Sequence, residues 1–255
     1  MNFAVSATSY DRFMGRYSAQ LSPQLADLAG VEAGQRVLDV GAGSGMLTAE
    51  LVERLGPDAV SAVDPSESFV AAVRERHPGV DVHLCGAEEM PFTDATFDAA
   101  LAQLVISFMN DPVAGLREMA RVTRPGGVIA ACMWDLGGGR APISPFWRAA
   151  LELDPDAQAE RRSVGVREGE IVALFEKIGL TEVSQTALSS TIEHPTLDDW
   201  WQPFGLGVGP AGAYVHSLDA AHRDALRERC RELLGDGPFT LQTWAWAARG
   251  VVTPG

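Results

Sequence analysis

Residues 37–45, VLDVGAGSG, constrain this chain more than any other stretch. An apolar strand runs into Gly41, Gly43 and Gly45, and a helical pattern starts near Met46. Glycines let a backbone turn tightly and approach a ligand with no Cβ in the way. The helix that follows offers free N–H groups at its N-terminus. A ligand is therefore expected against this loop, outside the carboxyl end of a strand where open α/β sheets reverse their order. Asp64 closes a second strand about twenty residues on, where a carboxylate can accept hydrogen bonds from both hydroxyls of a ribose. Its alternative role is to cap the helix that begins near Ser66.

The same alternation continues around the loop. RVLDV, TAELVERLG, AVSAVD, ESFVAAVRERH and VDVHLC read as βαβαβ. FDAALAQL follows as a fourth strand, VAGLREMARV as its crossover helix and GGVIAACMW as a fifth strand. Short apolar strands between helices imply a mostly parallel sheet covered on both faces. Before it, Tyr10, Phe13, Met14, Tyr17 and Leu21 recur at helical spacing, so the segment ahead of Pro23 reads as an amphipathic helix. After Trp134 the pattern loosens: LGGGRAPISP is a loop, FWRAALELD and EGEIVALFEKIGL are helices, and TEVSQTALSSTIEH is a strand. Residues 195–238 form an insertion with a Trp-Trp pair and the glycine-rich GLGVGPAG, which reads as a connecting loop or, alternatively, a lid. FTLQTWAWAARGVV closes the chain as a last strand, on which Trp244 and Trp246 share a face and so favour packing.

At 255 residues the chain suits one domain: a helical cover at 1–35, a ligand-binding core at 36–135, helices, a sixth strand and a cap insertion at 136–238, and the last strand at 239–255. No apolar run reaches the roughly 18 residues of a membrane span. The start, MNFAVSATSYDR, lacks a basic region followed by an apolar one, so no secretory leader is expected and the location reads as cytoplasmic. Cys85, Cys132 and Cys230 have no metal-ligand or disulfide spacing, and the first two lie in apolar strand-like runs. With 34 acidic against 20 basic residues and a net charge of −14, the chain repels polyanions, which argues against nucleic acid as a substrate.

Four segments in order carry a family resemblance over roughly residues 36–135: VLDVGAGSG with Asp39 ahead of the glycines, AVDPS, GAEEMPF with FDAA, and RVTRPGG, in which Thr123 replaces the usual leucine. Together they resemble the class I methyltransferases that use S-adenosylmethionine (SAM), in the subgroup of quinone-precursor and other small-molecule enzymes. The resemblance implies a doubly wound, Rossmann-like, seven-stranded sheet with an antiparallel last strand. It implies that Asp39, Gly41, Ala42 and Gly43 contact the amino-acid and ribose portion of SAM, that Asp64 with Pro65 binds the ribose hydroxyls, and that Ala87 and Glu88 lie beside the adenine. Gln103 would face the methionine moiety. YDRFMGRYS is similar to the entrance helix of a subset of these enzymes, which makes Tyr10, Arg16 and Tyr17 candidate contacts, Tyr17 above all. A nicotinamide oxidoreductase needs G-x-G-x-x-G, and the third glycine here comes one residue early. A SAM-binding protein without catalysis stays open.

Methyl transfer from a sulfonium is an in-line displacement that rests mainly on holding the reactants in near-attack geometry. An acidic acceptor adds the need for a base. His194 and His216 are the candidates, whereas His77 and His83 read as structural; no single residue is singled out. Trp134, Trp147, Trp200, Trp201 and Phe204 cluster after the cofactor half, so an apolar or aromatic small-molecule acceptor is expected.

Overall fold

A computed structural model describes residues 10–157 and 164–253. Residues 1–9, on which the expectation of no leader mainly rests, lie outside them. The first helix, α1 (Arg16–Ala29), follows a π-helical turn at Asp11–Gly15. Then come β1 (Val37–Val40), α2 (Met46–Leu55), β2 (Val60–Asp64), α3 (Glu67–Arg76) and β3 (Asp81–Leu84). β4 (Phe97–Gln103), α4 (Pro112–Val122) and β5 (Thr123–Trp134) complete the alternation. The remainder is α5 (Ser144–Leu153), α6 (Glu170–Lys177), β6 (Thr181–His194), α7 (Leu197–Trp201), α8 (Gly209–Ser217), α9 (Ala220–Leu234) and β7 (Phe239–Val251).

The seven strands form one sheet in the order β3-β2-β1-β4-β5-β7-β6. The first five are parallel, and β7 runs antiparallel to both β5 and β6. Strand order reverses between β1 and β4, which opens a crevice at their carboxyl ends. All four β1 residues are buried because helices cover both faces of the sheet. Alternate residues of β4 serve opposite cores: Leu101 packs with Leu21, Leu25 and Leu51, while Ala100 packs with Leu38, Leu116 and Phe175.

Two expectations change. Pro23 does not end the first helix, which runs to Ala29 and closes on Gly30 in a left-handed cap. Burial of Leu25, Ala26 and Ala29 outweighs the loss of one helical hydrogen bond, and the Pro23 carbonyl takes a bond from Arg54 Nη2 at 3.1 Å. GLGVGPAG is not a loop throughout. Its second half enters α8, with Pro210 in the first turn, because the bare Gly212 lets the helix press against the backbone of Gly207.

α1 also seals one of the sheet's two edges, strand β6. Gln20 Nε2 donates to the Thr191 carbonyl (3.1 Å) and Gln20 Oε1 accepts from the Thr191 N–H (2.9 Å). Gln24 makes the same pair with Ser189, at 2.8 and 3.1 Å. Two side-chain amides thus satisfy backbone groups that an edge strand leaves unpaired. This anchors α1 so that its N-terminal end lies over the crevice.

Candidate active site

The glycine loop folds back over the neighbouring strand. Gly41 and Ala42 both donate their N–H to the Val63 carbonyl, at 2.8 and 3.0 Å. Gly41 sits at φ +72°, and a Cβ there would lie 2.5 Å from Val105 Cγ2, so the position needs glycine for both its backbone angle and its space.

Asp64 is 6% exposed and accepts two backbone bonds, from Gly43 (Oδ2, 2.8 Å) and from Ser66 (Oδ1, 2.8 Å). Ser66, not Asp64, stands at the N-cap of α3, and its side chain makes no capping bond. Asp64 instead ties the glycine loop to the start of α3, leaving acceptor capacity on both oxygens. Burial pushes its carboxyl above the usual range, against the pull of those two bonds.

Asp39 is deeper. Thr48 Oγ1 donates to its Oδ2 at 2.6 Å. Burial pushes its carboxyl up to about 7, the Thr48 bond acts the other way, and the Asp64 charge adds to the rise. Gln103 ends β4 with its amide turned by α1: Nε2 donates to the Ser18 carbonyl and to Ser22 Oγ, each at 3.1 Å. Its Oε1 is buried and has no hydrogen-bond partner. Glu88 accepts the Asn110 N–H at 2.7 Å, which fastens the segment after β3 to the start of α4.

These residues surround one cavity of about 880 Å³. Asp39, Gly41, Ala42, Gly43, Asp64, Pro65, Ala87, Glu88 and Gln103 all line it. Strand order spreads them across it, from Glu88 beyond β3, through Asp64 and Gly41, to Gln103 and then Trp134 at the end of β5. With strands about 4.8 Å apart, the span from β3 to β5 is roughly 19 Å. Asp39, Asp64, Glu67 and Glu88 give the β1–β3 half a carboxylate lining, and among the described lining residues there is no Lys, Arg or His. The other half is apolar, with Phe13, Met14, Met133, Trp134, Ile143 and Val208.

Tyr17 is placed elsewhere than expected. It is buried and its hydroxyl meets His194 Nε2 at 2.6 Å, outside the cavity. Arg16 pairs with Asp199 Oδ2 at 2.7 Å and also stays outside, whereas Tyr10 lines the cavity and packs edge-on against Phe69. His216 is exposed and bonded to the Gly205 carbonyl (3.0 Å). Cys85 lies just beyond β3 and lines the cavity, where burial pushes its thiol up to about 11. The cap residues Val208, Gly209 and Pro210 line it too. They escape sequence reading because nothing in GLGVGPAG marks which way the segment folds.

The family model described as "Methyltransferase domain" matches residues 38–131, the stretch that holds the glycine loop, Asp64, Glu88 and Gln103. That stretch is similar to a methyltransferase domain. A demethylmenaquinone methyltransferase from Beutenbergia cavernae is 42% identical over 120 residues, covering 47% of this chain and 48% of that protein. The chain spans about half the length of the curated relatives it matches. Two solved structures extend the likeness to the whole fold. Phosphoethanolamine N-methyltransferase 2 of Haemonchus contortus, in complex with phosphomonomethylethanolamine and S-adenosylhomocysteine, is 17% identical over 98% of this chain and 57% of that chain, with a TM-score of 0.60. The [4+2]-cyclase SpnF is 19% identical over 92% of this chain and 81% of that chain, with a TM-score of 0.57. At these identities the likeness shows the fold alone.

Proposed function

We propose that this protein transfers the methyl group of S-adenosylmethionine to a small, uncharged, apolar or aromatic acceptor. One observation carries the reading: a single cavity joins a half lined by four carboxylates and no cation to a half lined by apolar side chains. The carboxylate half suits a sulfonium that also carries an ammonium. It opposes the pyrophosphate of a nicotinamide dinucleotide, which has no basic side chain to meet there. The unpartnered Gln103 Oε1 is an acceptor held ready for a bound N–H or O–H donor. Its volume falls within the roughly 300–1,000 Å³ of ligand sites.

SAM, when bound, supplies a methyl group already activated by the sulfonium. The residues of this chain bind and orient. Asp64 accepts from ribose hydroxyls, Gly43 admits the ligand against bare backbone, and Ala87 with Glu88 border the adenine. Asp39, Pro65 and Gln103 complete the donor half, while Trp134 and Met14 exclude water from the acceptor half. No ionisable side chain belongs to the apolar lining, so an acceptor that attacks without first losing a proton fits best, such as an electron-rich carbon of a hydroquinone-type ring. Free cysteines suit a reducing compartment, and we place the reaction in the cytoplasm. No helix among the described residues is long and apolar enough to cross a membrane.

The test is thermal unfolding with SAM, S-adenosylhomocysteine and NADH, for the native chain and Asp64→Ala. A ligand at 100 times its dissociation constant adds about 2.7 kcal/mol, and a shift from both sulfur ligands that Asp64→Ala abolishes is expected. Stabilisation by NADH alone overturns the reading. Incubation with SAM and a panel of naphthols and hydroquinones, followed for S-adenosylhomocysteine, then tests transfer.

A further inference from the structure

Behind the apolar half lies a polar cluster, buried at Tyr17 and His194 and about a third exposed at Arg16 and Asp199, that the proposed reaction does not use. His194, at the end of β6, is 1% exposed and has both ring nitrogens engaged: Nε2 with the Tyr17 hydroxyl at 2.6 Å and Nδ1 with Asp199 Oδ2 at 2.7 Å. Asp199 also holds Arg16 at 2.7 Å. Burial opposes ionisation of Asp199, yet its bonds from Arg16 and His194 hold its carboxyl below the usual range, so it is an acceptor only. Nδ1 of His194 therefore carries the proton, Nε2 accepts, and the Tyr17 hydroxyl donates. Burial, the largest influence on each, keeps the imidazole and the phenol neutral. The four groups stand in one defined hydrogen-bonded order.

The segments that His194 joins are those that wall the apolar half. Tyr17 stands edge-on to Trp134 (6.4 Å, 88°), and the π-helical turn ahead of α1 presents Met14. Asp199 precedes Trp200, whose Nε1 donates to the Pro142 carbonyl at 3.2 Å, beside the lining residue Ile143. Met14 and Ile143 border both the large cavity and the small crevice that holds Tyr17, His194 and Asp199. Met14 and Ile143 thus separate the cluster from the large cavity.

We propose that His194 is a positioning residue that selects the acceptor, fixing Tyr17 and Asp199 so that Met14, Trp134 and Ile143 shape a slot for a flat, uncharged ring. The proposal rests on the methyl-transfer reading for what occupies the slot, not for the existence of the slot.

The experiment is calorimetric titration of the native chain, Tyr17→Phe and His194→Asn with S-adenosylhomocysteine, and then with 1-naphthol, both with and without S-adenosylhomocysteine. Asn keeps a donor near Asp199 and loses the acceptor for Tyr17, while Tyr17→Phe keeps the ring against Trp134 and loses only the hydroxyl. S-adenosylhomocysteine affinity is expected to stay within twofold in both variants, while 1-naphthol binding weakens at least fivefold. Unchanged 1-naphthol binding overturns the proposal, as does an equal loss for both ligands, which marks a merely structural cluster. Failure of the native chain to bind 1-naphthol in either state overturns it as well. Native chain that binds 1-naphthol but not S-adenosylhomocysteine sinks the methyl-transfer reading alone, and the variants still decide the role of His194. Tyr17→Phe, the milder change, carries the test should His194→Asn not fold.

Discussion

Gly41 and Val105 meet where the first strand gives way to the cofactor loop: a Cβ on Gly41 would stand 2.5 Å from Val105 Cγ2 and 2.6 Å from Cγ1. The side chain after β4 thus occupies the space that a bare backbone leaves open. Gly41→Ala meets two obstacles, the left-handed φ of +72° and this contact, which together cost about 2–4 kcal/mol. The double variant Gly41→Ala, Val105→Ala removes the two closest contacts, leaves the residue 105 Cβ at 3.1 Å, and does not relieve the backbone strain. Denaturant titration should therefore return part of the lost stability in the double variant. Complete recovery would show that the φ value carries no cost.

Gln20 and Gln24 stand in for a missing neighbour of β6 through four side-chain bonds to Thr191 and Ser189. Replacing both by Ala strips the pairing from an edge strand, with each bond worth about 1 kcal/mol at most. Amide exchange at Ser189 and Thr191 is expected to accelerate at least tenfold, with self-association at high concentration as the free edge seeks a partner. Exchange at native rates would mean that packing of α1, not the amides, protects the edge.

The fold from β1 to β5 is legible in the sequence because each strand is a short apolar run bounded by glycine or an acidic residue, and each helix shows a clear polar face. The same regularity places Asp64, Glu88 and Gln103 at strand ends, where a parallel sheet gathers them into one crevice. What sequence spacing cannot convey is contact between distant segments. Tyr17 lies on the helical face that covers the core, and only the arrival of β6 brings His194 to its hydroxyl. Pro23 marks a helix end locally, but buried residues on both sides of it carry the helix through.

Gly212 shows the same limit in a form that mutation can read. In α8 a Cβ at Gly212 would lie 2.6 Å from the backbone carbon of Gly207, whereas one at Gly205 meets nothing within 4 Å. Alanine favours a helix over glycine by about 0.5–1 kcal/mol, and here the clash with backbone outweighs that gain. Gly212→Ala should lower stability by about 1–3 kcal/mol, while Gly205→Ala leaves it unchanged or raises it. Thermal melting of the two variants decides; equal tolerance would return the segment to the loop that its sequence suggests.

Asp39 makes stability depend on pH in a direction opposite to most carboxylates. Its pKa lies near 7 in the folded chain against 3.8 when unperturbed, chiefly through burial. Between those values the folded state holds a proton that the unfolded state has lost. The contribution is fully present below about pH 4 and is lost as pH rises through about 7, at roughly 1.4 kcal/mol per pH unit. Asp39→Asn keeps an oxygen for the Thr48 hydroxyl and cannot ionise. The melting temperature of the native chain, measured relative to Asp39→Asn without ligand, should fall by roughly 5–10 °C between pH 5 and pH 7 and level off above it. Taking the difference cancels His77 and His194, whose lowered pKa values work the other way, losing stability as pH falls below about 6.5. A difference that stays flat from pH 5 to pH 8 would place Asp39 among ordinary ionised carboxylates, able to hold a cationic ligand without first losing a proton.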